Sequence, residues 1–220
     1  TMDTKKLKSF DQNLIDLLKD AHKWEYTEIN DNKEKSLQKK PKLFFTRFQW
    51  VLVLLSFVCT ILCPNGLSSN FAGYIISGMS LFVGLLFTLV VSLFDKFYDT
   101  DFEKYKKANN ADLYPFGVRL KNFFKRSIIL TLYTAIIAIV CILMLALILM
   151  SDKMNTTIDV FNAVQYYNDY GIMFCIKAIF LLVYRSVLFY LLLNFIYITK
   201  QMITSFYDYM VSEIDKIHLS

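Results

Sequence analysis

Four long apolar runs divide this chain: Leu43–Cys63, Ala72–Phe94, Ser127–Met150 and Gly171–Thr199. Each offers about the 20 residues that a helix rising 1.5 Å per residue needs to cross about 30 Å of hydrocarbon. None shows the alternation of a barrel strand, and only helices or closed barrels satisfy their backbone groups in lipid. The pattern predicts an all-α membrane protein with four transmembrane helices.

The stretches between the runs have a pattern of their own. Leu7, Phe10, Leu14, Leu17, Leu18 and Ala21 recur at helical spacing and predict an amphipathic helix from about Thr4 to Glu28. Its polar face carries both signs, Asp11, Asp16 and Asp20 beside Lys8, Lys19 and Lys23, which favours packing on protein over lying on anionic lipid. Phe94, Phe97, Tyr98, Phe102 and Tyr105 extend the second helix to about Ala108, where Asn109, Asn110 and Pro115 break it. Ile203, Phe206, Tyr207, Met210, Ile214 and Ile217 extend the fourth to about Lys216. The organisation is therefore 1–42, an amphipathic helix and basic linker; 43–94, a transmembrane hairpin; 95–126, a helical extension and loop; 127–199, two further spans around the loop 151–170; and 200–220, a C-terminal helix. Together the amphipathic segments predict a small cytoplasmic helical extension.

Charge supplies the orientation. Residues 1–47 hold eleven Lys and Arg and residues 95–126 hold eight, whereas 64–71 hold none and 151–170 hold only Lys153. Positive charge marks the cytoplasmic side, so both termini are expected in the cytoplasm. The polar first 42 residues give no sign of a cleavable signal peptide. The abundance of Lys, Asn, Ile, Phe and Tyr fits an AT-rich bacterial genome, hence an inner membrane. The net charge of +5 is too ordinary to argue for sequence-specific nucleic-acid binding.

Arg185 is the most informative single residue. It lies near the middle of the last run, and none of the runs contains Asp or Glu. An arginine at a bilayer centre costs about 3 kcal/mol on insertion scales and stays only if something solvates it. Two readings stand side by side: a hydrogen-bond hub to carbonyls, Tyr or Asn of neighbouring helices, or a ring of Arg185 around an aqueous axis in a symmetric oligomer, favouring anions. Lys177 is close enough to the end of the run to snorkel to headgroups. Ser186, Tyr190, Asn194 and Tyr197 share one helical face. On the second run Ser80, Gly84, Thr88 and Ser92 repeat every four residues, and Gly73 and Ser77 form another such pair. Small residues at that spacing permit close helix packing or line a wet pore. Lys39, Lys40, Lys42, Arg47, Arg119, Lys121, Lys125 and Arg126 form a basic cytoplasmic surface suited to anionic lipid or another anionic ligand.

Catalytic chemistry is hard to find. There is no HExxH, Walker or GxSxG motif and no intramembrane carboxylate pair, so no enzyme, metal or cofactor is expected. Cys59, Cys63, Cys141 and Cys175 all lie in apolar runs; Cys63 and Cys175 fall near the outer ends of their helices and could approach each other.

The layout of the N-terminal half resembles a known plan. An amphipathic helix ending Ala21-His22-Lys23-Trp24 is followed by a tight hairpin, Phe45 to Phe94, and a charged extension, Asp95 to Lys107. This resembles SLATT-type membrane effectors of bacterial conflict systems. The four-span plan with both termini inside is similar to small membrane subunits of anti-phage systems, such as the Kiwa membrane protein and CRISPR-associated membrane accessories. The resemblance implies a defence protein that forms homo-oligomers and either perforates the inner membrane or scaffolds a soluble partner; the first expectation is a gated pore or membrane effector, and the alternative is a non-conducting anchor or sensor that recruits a cytoplasmic protein partner.

Overall fold

The computed structural model describes residues 10–25, 27–28, 37–38, 45–106, 114–151, 154, 156–158 and 163–214. Almost all of this is helix: α1 Phe10–Glu25, α2 Arg47–Leu62, α3 Ser69–Asp99, α4 Tyr114–Met150 and α5 Ala163–Ile214. A 3-10 turn, Phe102–Tyr105, lies between α3 and α4. Two-residue strands, β1 Thr27–Glu28 and β2 Leu37–Gln38, pair antiparallel. The protein is all-α with membrane-like helices: α3, α4 and the stretch Ile172–Val211 of α5 are long and apolar enough to cross a bilayer, and α2 is a shorter apolar helix.

Two compact units share the long helices. One comprises residues 43–86 and 134–201. Here α2 begins in a capping box: Gln49 N–H donates to Thr46 Oγ1 at 3.3 Å, and Thr46 N–H donates to Gln49 Oε1 at 2.9 Å. Such reciprocal bonds satisfy donors that a helix start otherwise strands. It ends at Leu62, two residues before Pro64. Its 16 residues make about 24 Å of helix, shorter than the expected run 43–63. α2 runs antiparallel along α5, with Phe48 stacked on Tyr197 at one end and Thr60 meeting Ser186 at the other. Ala72 of α3, Leu145 and Ile148 of α4 and Leu188 of α5 form a buried cluster, and Phe82 meets Phe195 edge-on. α4 is the most buried of the long apolar helices, with Ala135, Ile137, Ala138 and Cys141 among its covered residues.

The other unit comprises residues 1–42, 87–133 and 202–220. Its core is Leu93, Leu120, Phe123 and Phe124, packed by Phe97, Phe102, Phe206 and Tyr209. The Phe123 and Tyr209 rings stack 4.3 Å apart and nearly parallel. Gly117 lets the 3-10 turn close on α4: a Cβ there would lie 2.3 Å from the Tyr105 Cβ. α1 buries Ala21 and Trp24 while Leu14 and Leu18 stay largely exposed.

Beyond the apolar runs, α3 and α5 continue with edges and faces of their own. α3 stops at Asp99, not near Ala108: Thr100 N–H turns to the Phe97 carbonyl, and Asp101 accepts from Glu103 N–H to start the 3-10 turn. Pro115 sits in the first turn of α4, where its missing N–H costs nothing. On α3 the inward residues are Leu93 and Phe97, and Phe94 and Tyr98 point out; on α5 Met202, Phe206 and Tyr209 point in, and Ile203, Tyr207 and Met210 out. Residues 1–9, 107–113 and 215–220 of the expected extensions lie outside the described residues.

Candidate functional site

Arg185 is built into a clasp at the loop end of the first unit. The residue is 3% exposed. Nη1 donates to the Pro64 carbonyl at 2.8 Å, and Nη2 donates to the carbonyls of Met154 at 2.9 Å and Thr156 at 2.8 Å. Two loops far apart in sequence are thereby pinned to one side chain. They also bond each other: Ile158 N–H donates to the Pro64 carbonyl, and Thr157 Oγ1 to Asn65 Oδ1. Gly66 makes the approach possible. Its φ is +67°, and a Cβ there would lie 2.9 Å from Arg185 Nε. Both the backbone conformation and the space call for glycine. Peptide dipoles aimed at a delocalised cation offset its desolvation without an anion, and the planar fork serves three acceptors from two nitrogens.

The clasp also marks where the four helices end together. Thr60 near the end of α2 faces Ser186, Ala72 near the start of α3 clusters with Leu188, and the Tyr184 hydroxyl donates to the Met144 carbonyl near the end of α4. Arg185 therefore lies at the loop end of the bundle, not near its middle. Depth counted from Gly171 was misleading, since the bundle begins only near Leu181, the first buried residue of α5 described. Lys177 lies ahead of that point and is exposed.

Below the clasp the shared face of α5 turns toward α2. Ser186 Oγ is 3.3 Å from Thr60 Oγ1, and the Tyr190 ring is 6.4 Å from that of Phe45. Asn194 is 2% exposed, and its Oδ1 meets no donor. Sequence reading passed over the hydroxyls of Ser56, Thr60, Ser127, Thr131 and Thr134, all buried. The signal was available: Ser56–Thr60 and Ser127–Thr131 stand four apart, and both threonine hydroxyls donate back to the earlier residue's carbonyl. That back-bonding lets a hydroxyl sit in an apolar interior.

The other expected residues lie apart from the clasp. Ser77, Ser80, Gly84, Thr88 and Ser92 are all exposed on α3, on the side opposite buried Ala72, Met79, Leu86 and Leu93. Nothing lies within 4 Å of where a Cβ on Gly73, Gly78 or Gly84 would be. Ser77 Oγ donates to the Gly73 carbonyl, so this hydroxyl is satisfied by its own helix. In the other unit Lys121 and Lys125 are exposed one turn apart, while Arg119 and Arg126 are half-buried. Lys39, Lys40 and Lys42 lie outside the described residues. All four cysteines are free thiols. Among the described residues no three His, Cys, Asp or Glu gather as metal ligands.

Known proteins offer no further guide: no protein family, no curated protein and no solved structure matches this chain.

Proposed function

We propose that this protein is a four-span membrane anchor, working as a homo-oligomer, that presents its aromatic helical unit to a cytoplasmic partner in bacterial anti-phage defence. α2 to α5 cross the inner membrane, with α2 as a short span, and both termini face the cytoplasm as the positive charge directs. Lipid headgroups contact the basic residues around Lys121 and Lys125. The observation that carries the reading is the Arg185 clasp. Arg185, the cation expected to ring an anion path, is committed to Pro64, Met154 and Thr156 of its own chain. Ile203, Tyr207 and Met210 remain exposed and provide an apolar docking stripe.

A second reading, a gated pore, draws on a separate observation. The exposed Ser77, Ser80, Gly84, Thr88 and Ser92 would line an axis if several copies turned α3 inward. Ion flux from the full chain reconstituted in vesicles separates the two. The anchor reading expects no flux above empty vesicles, from the native protein or from Arg185→Glu. Flux that falls when Gly84 or Thr88 becomes Leu overturns it in favour of the pore.

A further inference from the structure

Among the described residues, one side of α5 from Ile172 to Val183, ahead of the clasp, is exposed. Ile172 and Met173 are each 66% exposed, Ile176 57%, Ile179 62%, Phe180 63% and Val183 54%. α2, α3 and α4 all terminate level with Arg185, and polar loop backbone cannot lie bare in hydrocarbon. The bilayer boundary therefore runs near the clasp, and this arm of α5 continues beyond it into water. It leaves about 600 Å² of apolar side chain uncovered, at or above the largest patch a soluble surface usually bears. That is close to the roughly 800 Å² that each partner buries in a standard interface.

The spacing, over fewer than two heptads, fits a second copy as the occupant. Ile172, Ile176, Ile179 and Val183 follow steps of four, three and four, the d-a-d-a seam of a heptad, with Met173 and Phe180 at the flanking e positions. Lys177 falls at b, off the seam, so identical chains would not bring its charge onto their axis. Copies inserted in the same orientation present these arms parallel and in register. β-Branched residues at every a and d position favour three or more strands over two. We infer that the outer arms of α5 from separate copies of this chain wind into a short parallel coiled coil above the membrane. This rests on the membrane placement and self-association proposed above, and it assigns the contact that holds the copies together.

Disulfide trapping tests it in the full chain reconstituted in vesicles, with Cys175→Ser to silence the native thiol on the arm. Oxidation should cross-link Ile176→Cys and Ile179→Cys between copies at least several-fold more than Lys177→Cys. An impermeant maleimide added outside should label Lys177→Cys as readily as Asn70→Cys in the first turn of α3. Equal cross-linking at all three arm positions, or none, overturns the coiled coil. A shielded Lys177→Cys overturns it too, because the arm would then lie in lipid. Mass photometry of the same samples separates the claims. An oligomer without seam cross-links removes only the coiled coil, whereas a strict monomer removes the oligomer reading as well.

Discussion

Arg185 Nη1 reaches the Pro64 carbonyl at 2.8 Å across 121 residues of chain, and the same guanidinium holds Met154 and Thr156. The loop end of the bundle is thus fixed by one side chain. Arg185→Ala should lower stability by about 3 kcal/mol, the scale of losing charge-assisted hydrogen bonds from a buried group. Arg185→Lys should recover less than half, since one ammonium nitrogen replaces the two that now reach the three carbonyls. Thermal unfolding in detergent reads both, and a melting temperature unchanged by Arg185→Ala would refute the clasp.

Gly66 and Arg185 should behave as a coupled pair. Gly66→Ala meets both a left-handed φ, worth about 1 kcal/mol to an L-residue, and the guanidinium at 2.9 Å. In an Arg185→Ala background only the backbone part remains, so the added cost should drop to about 1 kcal/mol. A double-mutant cycle that proves additive would show that the collision does not occur.

Asn194 is a buried amide whose Oδ1 has no donor. An unsatisfied buried acceptor costs about 1–3 kcal/mol. Asn194→Leu, similar in volume, should therefore leave stability unchanged or raise it by about 1 kcal/mol. A fall of more than 1 kcal/mol would mean that the amide is engaged after all.

The aromatic unit should answer to its own core. Phe123→Ala removes a 5% exposed ring stacked on Tyr209 and should cost about 3–5 kcal/mol. Gly117→Ala pushes a Cβ into Tyr105 and should cost about 1–3 kcal/mol. With Trp50→Phe, the fluorescence of Trp24, which belongs to this unit, reports it alone. Unaltered Trp24 emission and melting in both variants would argue against the packing.

Much of the helical fold was legible because long apolar runs and breakers such as Pro64 act locally. The inward faces of the extensions were harder to read. Phe94 and Phe97, or Phe206 and Tyr207, are all apolar, and only the neighbouring element decides which is buried. The clasp itself was half legible. An arginine without a carboxylate demanded neutral acceptors, yet their identity as loop carbonyls depended on where α2, α3 and α4 stop. Gly66 carried no visible link to Arg185, since φ and a close approach are properties of the folded loop.

The clasp also has a consequence for biogenesis. Pro64 leaves the ribosome 121 residues before Arg185. At 5–20 residues per second the first hairpin waits about 6–24 s for its fastener. During that interval the translocon or a neighbouring insertase must shelter loops that the finished chain locks by itself. A nascent chain stalled before residue 185 should therefore be open to proteases at Asn65, and one released after it should be closed.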